Sequence, residues 1–327
     1  TYLMKTPKRP LSCSEFRRLS DVPIVYSKEA RGFLLALNKA KSPADKLALL
    51  SRFSAKDWLP RPPGLTEPLT GLTMGESAEI MAKLNGISRE DQDKFALASH
   101  KKAAEAQKAG RFDDELIPVW APPSFECTDK DNLVRGDTTL EKLASLKPAF
   151  DKHYGSLTAG NSSALTDGAA VALIADEKVA KSLGLKPKSR IKDFYFVGVD
   201  PTEQLLIGPA VAIPVLLKRN RLSFADIDRF EIHEAFAAQV LSCLRAMESK
   251  DFCARYFGDS KGFGTIPDDK LNVNGGSIAI GHPFGATGAR LVTTLSNELI
   301  RSNTSLGLIA ICTAGGMSGA MLIERYA

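Results

Sequence analysis

The sequence predicts a layered α/β fold, and two observations carry that expectation. Over the second half of the chain, short apolar runs at 194–199, 230–232, 306–311 and 320–323 alternate with helix-like runs at about 168–183, 208–220, 234–248 and 285–301. Alternation of this kind marks helices laid over a sheet. The chain is also long enough, at 327 residues with 44% hydrophobic and 25% charged side chains, for a large core and about two domains. No apolar run reaches 18 residues, the length at which a membrane-spanning helix is read.

Taken in order, residues 1–20 are basic and carry no periodicity. Residues 27–53 read as two helices. The first carries Phe33, Leu34, Leu35 and Leu37. The second opens with Ser42 as N-cap, Pro43 at the first helical position and Asp45 three residues after the cap, and then carries Leu47, Leu49, Leu50 and Phe53. Lysines and arginines flank both, giving a basic amphipathic hairpin. Residues 1–60 hold twelve Lys/Arg against five Asp/Glu, while the whole chain is only +5, so the positive charge is concentrated at this end. Such a segment is either a solvated helix pair over the core or a surface for membrane phosphates or an acidic partner. A proline-rich loop at 59–68 precedes helices at about 75–85 and 89–109, the second with Ser88 and Asp91 as a capping box and Gly110 beyond its end. Residues 117–150 are polar and loop-rich. Five cysteines without CxxC spacing describe neither a disulfide framework nor a zinc site and favour a reducing compartment. The chain begins at Thr1 with no signal-peptide pattern, as a processed or partial chain would.

Four segments have the composition of reactive sites. Asn272-Val273-Asn274-Gly275-Gly276-Ser277 runs through Ile278-Ala279-Ile280 into Gly281-His282-Pro283-Phe284-Gly285-Ala286-Thr287-Gly288, which puts His282 in a glycine-rich turn before a helix. Glycine lets backbone approach a ligand closely, and imidazole titrates near neutrality, as a general base requires. A histidine anchoring a turn is the competing reading. Glu231-Ile232-His233-Glu234-Ala235-Phe236 places His233 at a strand-to-helix junction. Ile311-Cys312-Thr313-Ala314-Gly315-Gly316 places Cys312 at a strand end beside a tight turn, where a reactive thiol or an oxyanion hole is supported. A buried, inert cysteine is the alternative. Leu157-Thr158-Ala159-Gly160-Asn161-Ser162-Ser163 is a polar turn in which Ser163 is able to bond a ligand amide, or serves only as turn chemistry.

Together, in this order and spacing, the four segments resemble the thiolase family, over about residues 19–327. The His233-Glu234-Ala235-Phe236 form, with Leu19-Ser20-Asp21-Val22-Pro23 and the basic hairpin, is similar to the subgroup typified by the β subunit of the mitochondrial trifunctional fatty-acid oxidation enzyme. The resemblance implies a layered αβαβα fold with a helical loop domain. It implies an acetyl-CoA C-acyltransferase that cleaves 3-ketoacyl-CoA with CoA, with no metal or resident cofactor. In that frame His282 is the base that activates the nucleophile, and Cys312 is the acid/base at the enolate carbon. His233 fixes an oxyanion-hole donor, and the Ala314 N–H belongs to a second such hole. Ser163 contacts pantetheine and Met74 lines the acyl pocket. The implied partners are CoA thioesters, a homo-oligomer, a hydratase/dehydrogenase α subunit and a membrane surface met through residues 27–53, with no nucleic acid. The implied location is mitochondrial, with peroxisomal or cytoplasmic as alternatives.

The family's nucleophilic cysteine belongs well before Asp21, followed by a helix and a strand. Only Cys13 stands there, and its neighbours Lys8-Arg9-Pro10-Leu11-Ser12 and Glu15 do not match. The expected organisation is therefore an unmatched segment 1–20, a loop domain 21–150, a remnant of the N-terminal half 151–202 and a C-terminal half 203–327, with the nucleophile-bearing part missing. Two readings follow: a thiolase whose chain is incomplete here, and a non-catalytic acyl-CoA-binding or scaffolding subunit. Retention of His233, His282 and Cys312 together favours the first. A decarboxylating ketoacyl synthase is remote, because that chemistry does not call for a thiol at Cys312.

Overall fold

The computed structural model describes residues 28–52, 66–120, 123–259 and 261–326. Contacts divide the chain into two units, Thr1–Leu65 and Thr66–Ala327. In the first, α1 (Lys28–Lys39) and α2 (Pro43–Arg52) form the expected hairpin. The Ser42 hydroxyl accepts the Asp45 N–H at 3.1 Å, closing the start of α2. Leu35, Leu47 and Leu50 are exposed on these helices.

The second unit opens with α3 (Met74–Leu84) and α4 (Arg89–Lys108). Thr73 and Glu76 form a reciprocal capping box on α3. At α4 the expected box is only half realised. Ser88 accepts the Asp91 N–H, and the Asp91 carboxylate takes the Ser88 hydroxyl at 2.7 Å. Gly110, at φ +66°, follows the helix end as expected. A small ribbon, β1 (Val119–Trp120) with β2 (Cys127–Thr128), and α5 (Leu140–Ala144) occupy the loop-rich stretch.

The remaining elements are α6 (Glu177–Ser182), β3 (Ser189–Gly198), α7 (Pro201–Gln204), α8 (Gly208–Arg219), β4 (Arg229–Ile232), α9 (Ala237–Glu248), α10 (Lys250–Phe257), α11 (Ser277–Ile280), α12 (Thr287–Arg301), β5 (Leu306–Thr313) and β6 (Met317–Arg325). The sheet runs β3-β6-β5-β4, with β5 parallel to β4 and antiparallel to β6. Both faces are apolar. Along β5, Leu308, Ala310 and Cys312 join the main core with Leu216 and Leu217 of α8, while Ile309 packs with Leu291, Leu295 and Leu299 of α12. The near-continuous hydrophobic run of β5 is what a strand covered on both sides requires.

Two expectations are corrected. The helix read over 168–183 is confined to α6, and residues 166–176 carry no regular structure, with Val171, Leu173 and Ile174 well exposed. Those side chains lie against no core cluster, so the helical spacing of apolar residues has nothing to pack on, and short helices draw their stability from such packing. In addition, β3 falls in the stretch assigned to an N-terminal remnant, yet it pairs along its length with β6 as the edge of the C-terminal sheet.

The loop entering the site hangs from one buried carboxylate. Glu79 of α3 accepts the Ser156 N–H at 2.9 Å and the Leu157 N–H at 2.8 Å. Glu79→Ala leaves the buried Leu157 N–H and the half-buried Ser156 N–H without this partner and is expected to lower unfolding free energy by about 3 kcal/mol, read from urea denaturation.

Candidate active site

His233, His282 and Cys312 converge at one end of the sheet. β4 ends at Ile232, and the His233 N–H continues its ladder by donating to Ala310 O at 2.9 Å. Cys312 lies two residues further along β5, on the same face as Ala310 because strand side chains alternate. His282 is brought in by the chain segment 161–165. The Ala237 N–H donates to Asn161 O, the Ser163 N–H to Ala235 O and the His282 N–H to Ala164 O, lacing both histidine loops to one strand-like segment. The imidazoles of His233 and His282 meet with centroids 4.1 Å apart.

The turn before His282 is shaped by what it must approach. A Cβ on Gly276 would lie 2.3 Å from the Glu234 carboxyl carbon, and Gly281 sits at φ +93°. Glu234 is buried and accepts from Ser99 Oγ at 2.6 Å, from Asn272 Nδ2 at 2.7 Å and from the Ile278 N–H at 3.3 Å. Asn272 also takes the Ile232 N–H on its side-chain oxygen at 2.8 Å, capping β4. The Asn-Gly-Gly-Ser turn and the His-Glu-Ala-Phe turn are thus bolted to each other.

His282 is half-buried. Its Nδ1 lies 2.6 Å from Thr287 Oγ1, and the Thr287 hydroxyl donates to Pro283 O at 3.1 Å. A threonine has one hydroxyl hydrogen, and the carbonyl takes it. The contact to His282 is therefore assigned as Nδ1–H donating to Oγ1, leaving Nε2 with its lone pair. Burial, then the charge of Arg290, pushes the His282 pKa down to about 4, so the ring is neutral and able to accept a proton at physiological pH. His233 is fully buried, and burial followed by its neighbours His282 and Arg290 also keeps it neutral. Burial pushes the Cys312 thiol far up, so it stays protonated.

The turn Ala314–Gly316 follows β5, with Gly315 at φ +78° and its N–H donated to the buried carboxylate of Glu67 at 2.9 Å. Ala314 is exposed at this turn. Ser163 is half-buried beside a cleft of about 310 Å³ that its neighbours Ser162 and Ala164 line with Arg135, Lys142 and Leu146. Ser162 Oγ is buried without a partner. Met74 starts α3, packs on the main core and is not among the residues lining that cleft. Cys13 lies outside the described residues. Sequence reasoning gave no role to Glu234, Ser277, Thr287 or Arg290. Their signal was present in part, since Thr287 and Arg290 occupy the helix that begins just after His282. Among the described residues, no group of three or more His, Cys, Asp or Glu is arranged to hold a metal ion.

The thiolase N-terminal domain matches residues 19–178 and the thiolase C-terminal domain matches residues 185–325. The chain belongs to the thiolase family. It is 47% identical to a 3-ketoacyl-CoA thiolase of Yersinia pestis (strain Pestoides F) over 305 residues, covering 93% of this chain and 70% of that protein. Among solved structures it is similar to the acetyl-CoA acetyltransferase of Bacillus anthracis, with TM-score 0.71 and 40% identity over 80% of this chain and 62% of that one. It is also similar to human mitochondrial 3-ketoacyl-CoA thiolase in complex with CoA, with TM-score 0.68 and 34% identity over 80% of this chain and 61% of that one. The chain therefore spans about three fifths of the solved chains it matches.

Two outcomes are expected. Gly276→Ala forces the Glu234 clamp apart and should cost about 3 kcal/mol of stability, read by thermal and urea melts. The His282 ring should titrate by NMR with a midpoint near pH 4. Its folded pKa lies below the unfolded value, so its contribution to stability is present above the unfolded pKa and lost as pH falls toward 4.

Proposed function

We propose that this site performs the thiolytic cleavage of 3-ketoacyl-CoA to acetyl-CoA and an acyl-CoA shortened by two carbons, as in fatty-acid β-oxidation. The observation that carries the reading is the pairing of protonation states: a neutral His282 able to take a proton, and a thiol at Cys312 held protonated by burial. An enolate carbon is a strong base, and an acid of raised pKa is suited to protonate it.

A thiolate, its proton taken by His282 Nε2, adds to the 3-keto carbon. The bond between C2 and C3 breaks, and its electron pair leaves on acetyl-CoA as an enolate, which takes the Cys312 proton at carbon. The acyl group remains as a thioester. An incoming CoA thiol gives its proton to the Cys312 thiolate and attacks that thioester. The displaced thiolate recovers its proton from His282. The backbone N–H of Ala314 and the His233 ring are the donors offered to the two oxyanions, the Gly315 N–H being taken by Glu67. The cleft beside Ser163, with an apolar wall at Leu143 and Leu146 and the cations Arg135 and Lys142, suits a pantetheine arm and its phosphates.

In this reading the acyl-carrying thiol is none of the four described cysteines. Cys243 and Cys253 are buried, with thiols that donate to Leu206 O and Met247 O. Cys127 sits exposed on the β1–β2 ribbon, and Cys312 has the acid's role. The test is turnover of acetoacetyl-CoA with CoA, followed by intact mass and peptide mapping after a ketoacyl-CoA pulse. His282→Ala should lower kcat by roughly 10²–10⁴-fold. Unchanged turnover in that variant overturns the assignment, and tight CoA binding with neither turnover nor adduct makes the chain a non-catalytic acyl-CoA-binding subunit.

We also infer a mitochondrial setting beside a hydratase/dehydrogenase subunit, supported by the His-Glu-Ala-Phe form and by the basic α1–α2 hairpin with its exposed leucines. Charge reversal at Lys39, Lys41 and Lys46 is expected to weaken association with that partner or with anionic vesicles in pull-down and flotation assays. Binding that stays unchanged removes the hairpin from the interface.

A further inference from the structure

We propose that Arg290 and Ser277 are positioning residues that lock His233 in the tautomer bearing hydrogen on Nε2, opposite to the tautomer of His282. This rests on the reading of the site as one that stabilises thioester oxyanions. Ser277 is fully buried, and its hydroxyl has two partners: His233 Nδ1 at 3.1 Å and Arg290 Nη2 at 2.9 Å. A guanidinium only donates, so Arg290 occupies a lone pair of Ser277 Oγ and turns the hydroxyl hydrogen away from itself. The acceptor left for that hydrogen is His233 Nδ1. Any other assignment strands a buried hydroxyl hydrogen, which costs free energy. With Nδ1 accepting, the ring hydrogen sits on Nε2.

That Nε2 is buried and has no hydrogen-bond partner among the described residues. A buried donor left open beside the base is a group shaped for an oxygen of the ligand or its bound water. The other terminal nitrogen of Arg290 lies 3.9 Å from Glu231 Oε2, beyond hydrogen-bond reach, and burial raises the Glu231 pKa to about 8. The result is two histidines in contact, their rings tilted by 46°, with divided labour. Thr287 makes His282 an acceptor at Nε2, while Ser277 makes His233 a donor there. If both rings carried the same tautomer, the site would have two bases or two donors.

The experiment is a long-range ¹H–¹⁵N correlation spectrum of the full chain labelled at its four histidines, His100, His153, His233 and His282, at pH 7 without substrate. The expected result is a single Nε2–H tautomer for His233 and a single Nδ1–H tautomer for His282. In Ser277→Ala, His233 is expected to become a mixture of tautomers. Ser277→Thr, which keeps the hydroxyl, should restore the single form, and Arg290→Gln should loosen it. A His233 that carries its hydrogen on Nδ1, or is already mixed in the unaltered chain, overturns the proposal before any variant has to fold. So does a His233 signal unmoved by Ser277→Ala. Because the readout needs no substrate, failure here is separate from failure of the thiolysis assay.

Discussion

The structure of the site depends on one buried carboxylate. Glu234 is enclosed by α4, by the turn at Asn272 and by the start of α11, and it takes hydrogens from Ser99, Asn272 and the Ile278 N–H. Burial alone would drive this group toward its neutral form, and its pKa is raised for that reason, while the three donors act against the rise. A carboxylate so placed is costly unless every partner is present. The requirement fixes the distance between two turns far apart in sequence, and through them the distance between His233 and Ser277. Glycine at 276 follows from the same constraint, since no Cβ fits against that carboxyl group.

Burial sets the chemistry in two directions at once. It lowers the proton affinity of the two imidazoles and raises that of the thiol, because in each case it penalises the charged form. A histidine in water would be partly charged near neutrality, and a cysteine partly ionised at mildly alkaline pH. Here the first becomes a neutral acceptor and the second an undissociated acid, without a specific ion pair acting on either. The sheet supplies this environment, since Cys312 belongs to its main core cluster.

Much of this was legible in the sequence. The strands of the second half and the helices at 74–108, 208–219 and 287–301 follow from apolar periodicity, and the three reactive side chains stand out through their glycine-rich or strand-end settings. Residues 168–176 were misread because their helical spacing implied a surface to pack against, which spacing alone cannot supply. The assignment of β3 failed for a related reason. Strand partners are set by pairing across long separations, and Ser189–Gly198 meets β6 more than a hundred residues away. The contacts of Ser277 and Thr287 with the histidines, and of Arg290 with Ser277, were hidden because they are made by hydrogen bonds across the fold, and a motif names neighbours in sequence only.

The bond from the Gly315 N–H to Glu67 joins residues 248 apart, and the bonds of Ser99 to Glu234 and to Gly276 join residues 135 and 177 apart. Contacts of such separation form only after the entropy of closing the intervening loops has been met, so they come late in folding. The turn after Cys312 therefore acquires its shape only when the earliest described part of the second unit has docked. Competence at this site then reports completion of the whole unit: a folding intermediate with a formed sheet and an undocked segment 66–73, a turn closed by the Thr66–Thr73 bridge, would have the side chains of the site without its geometry.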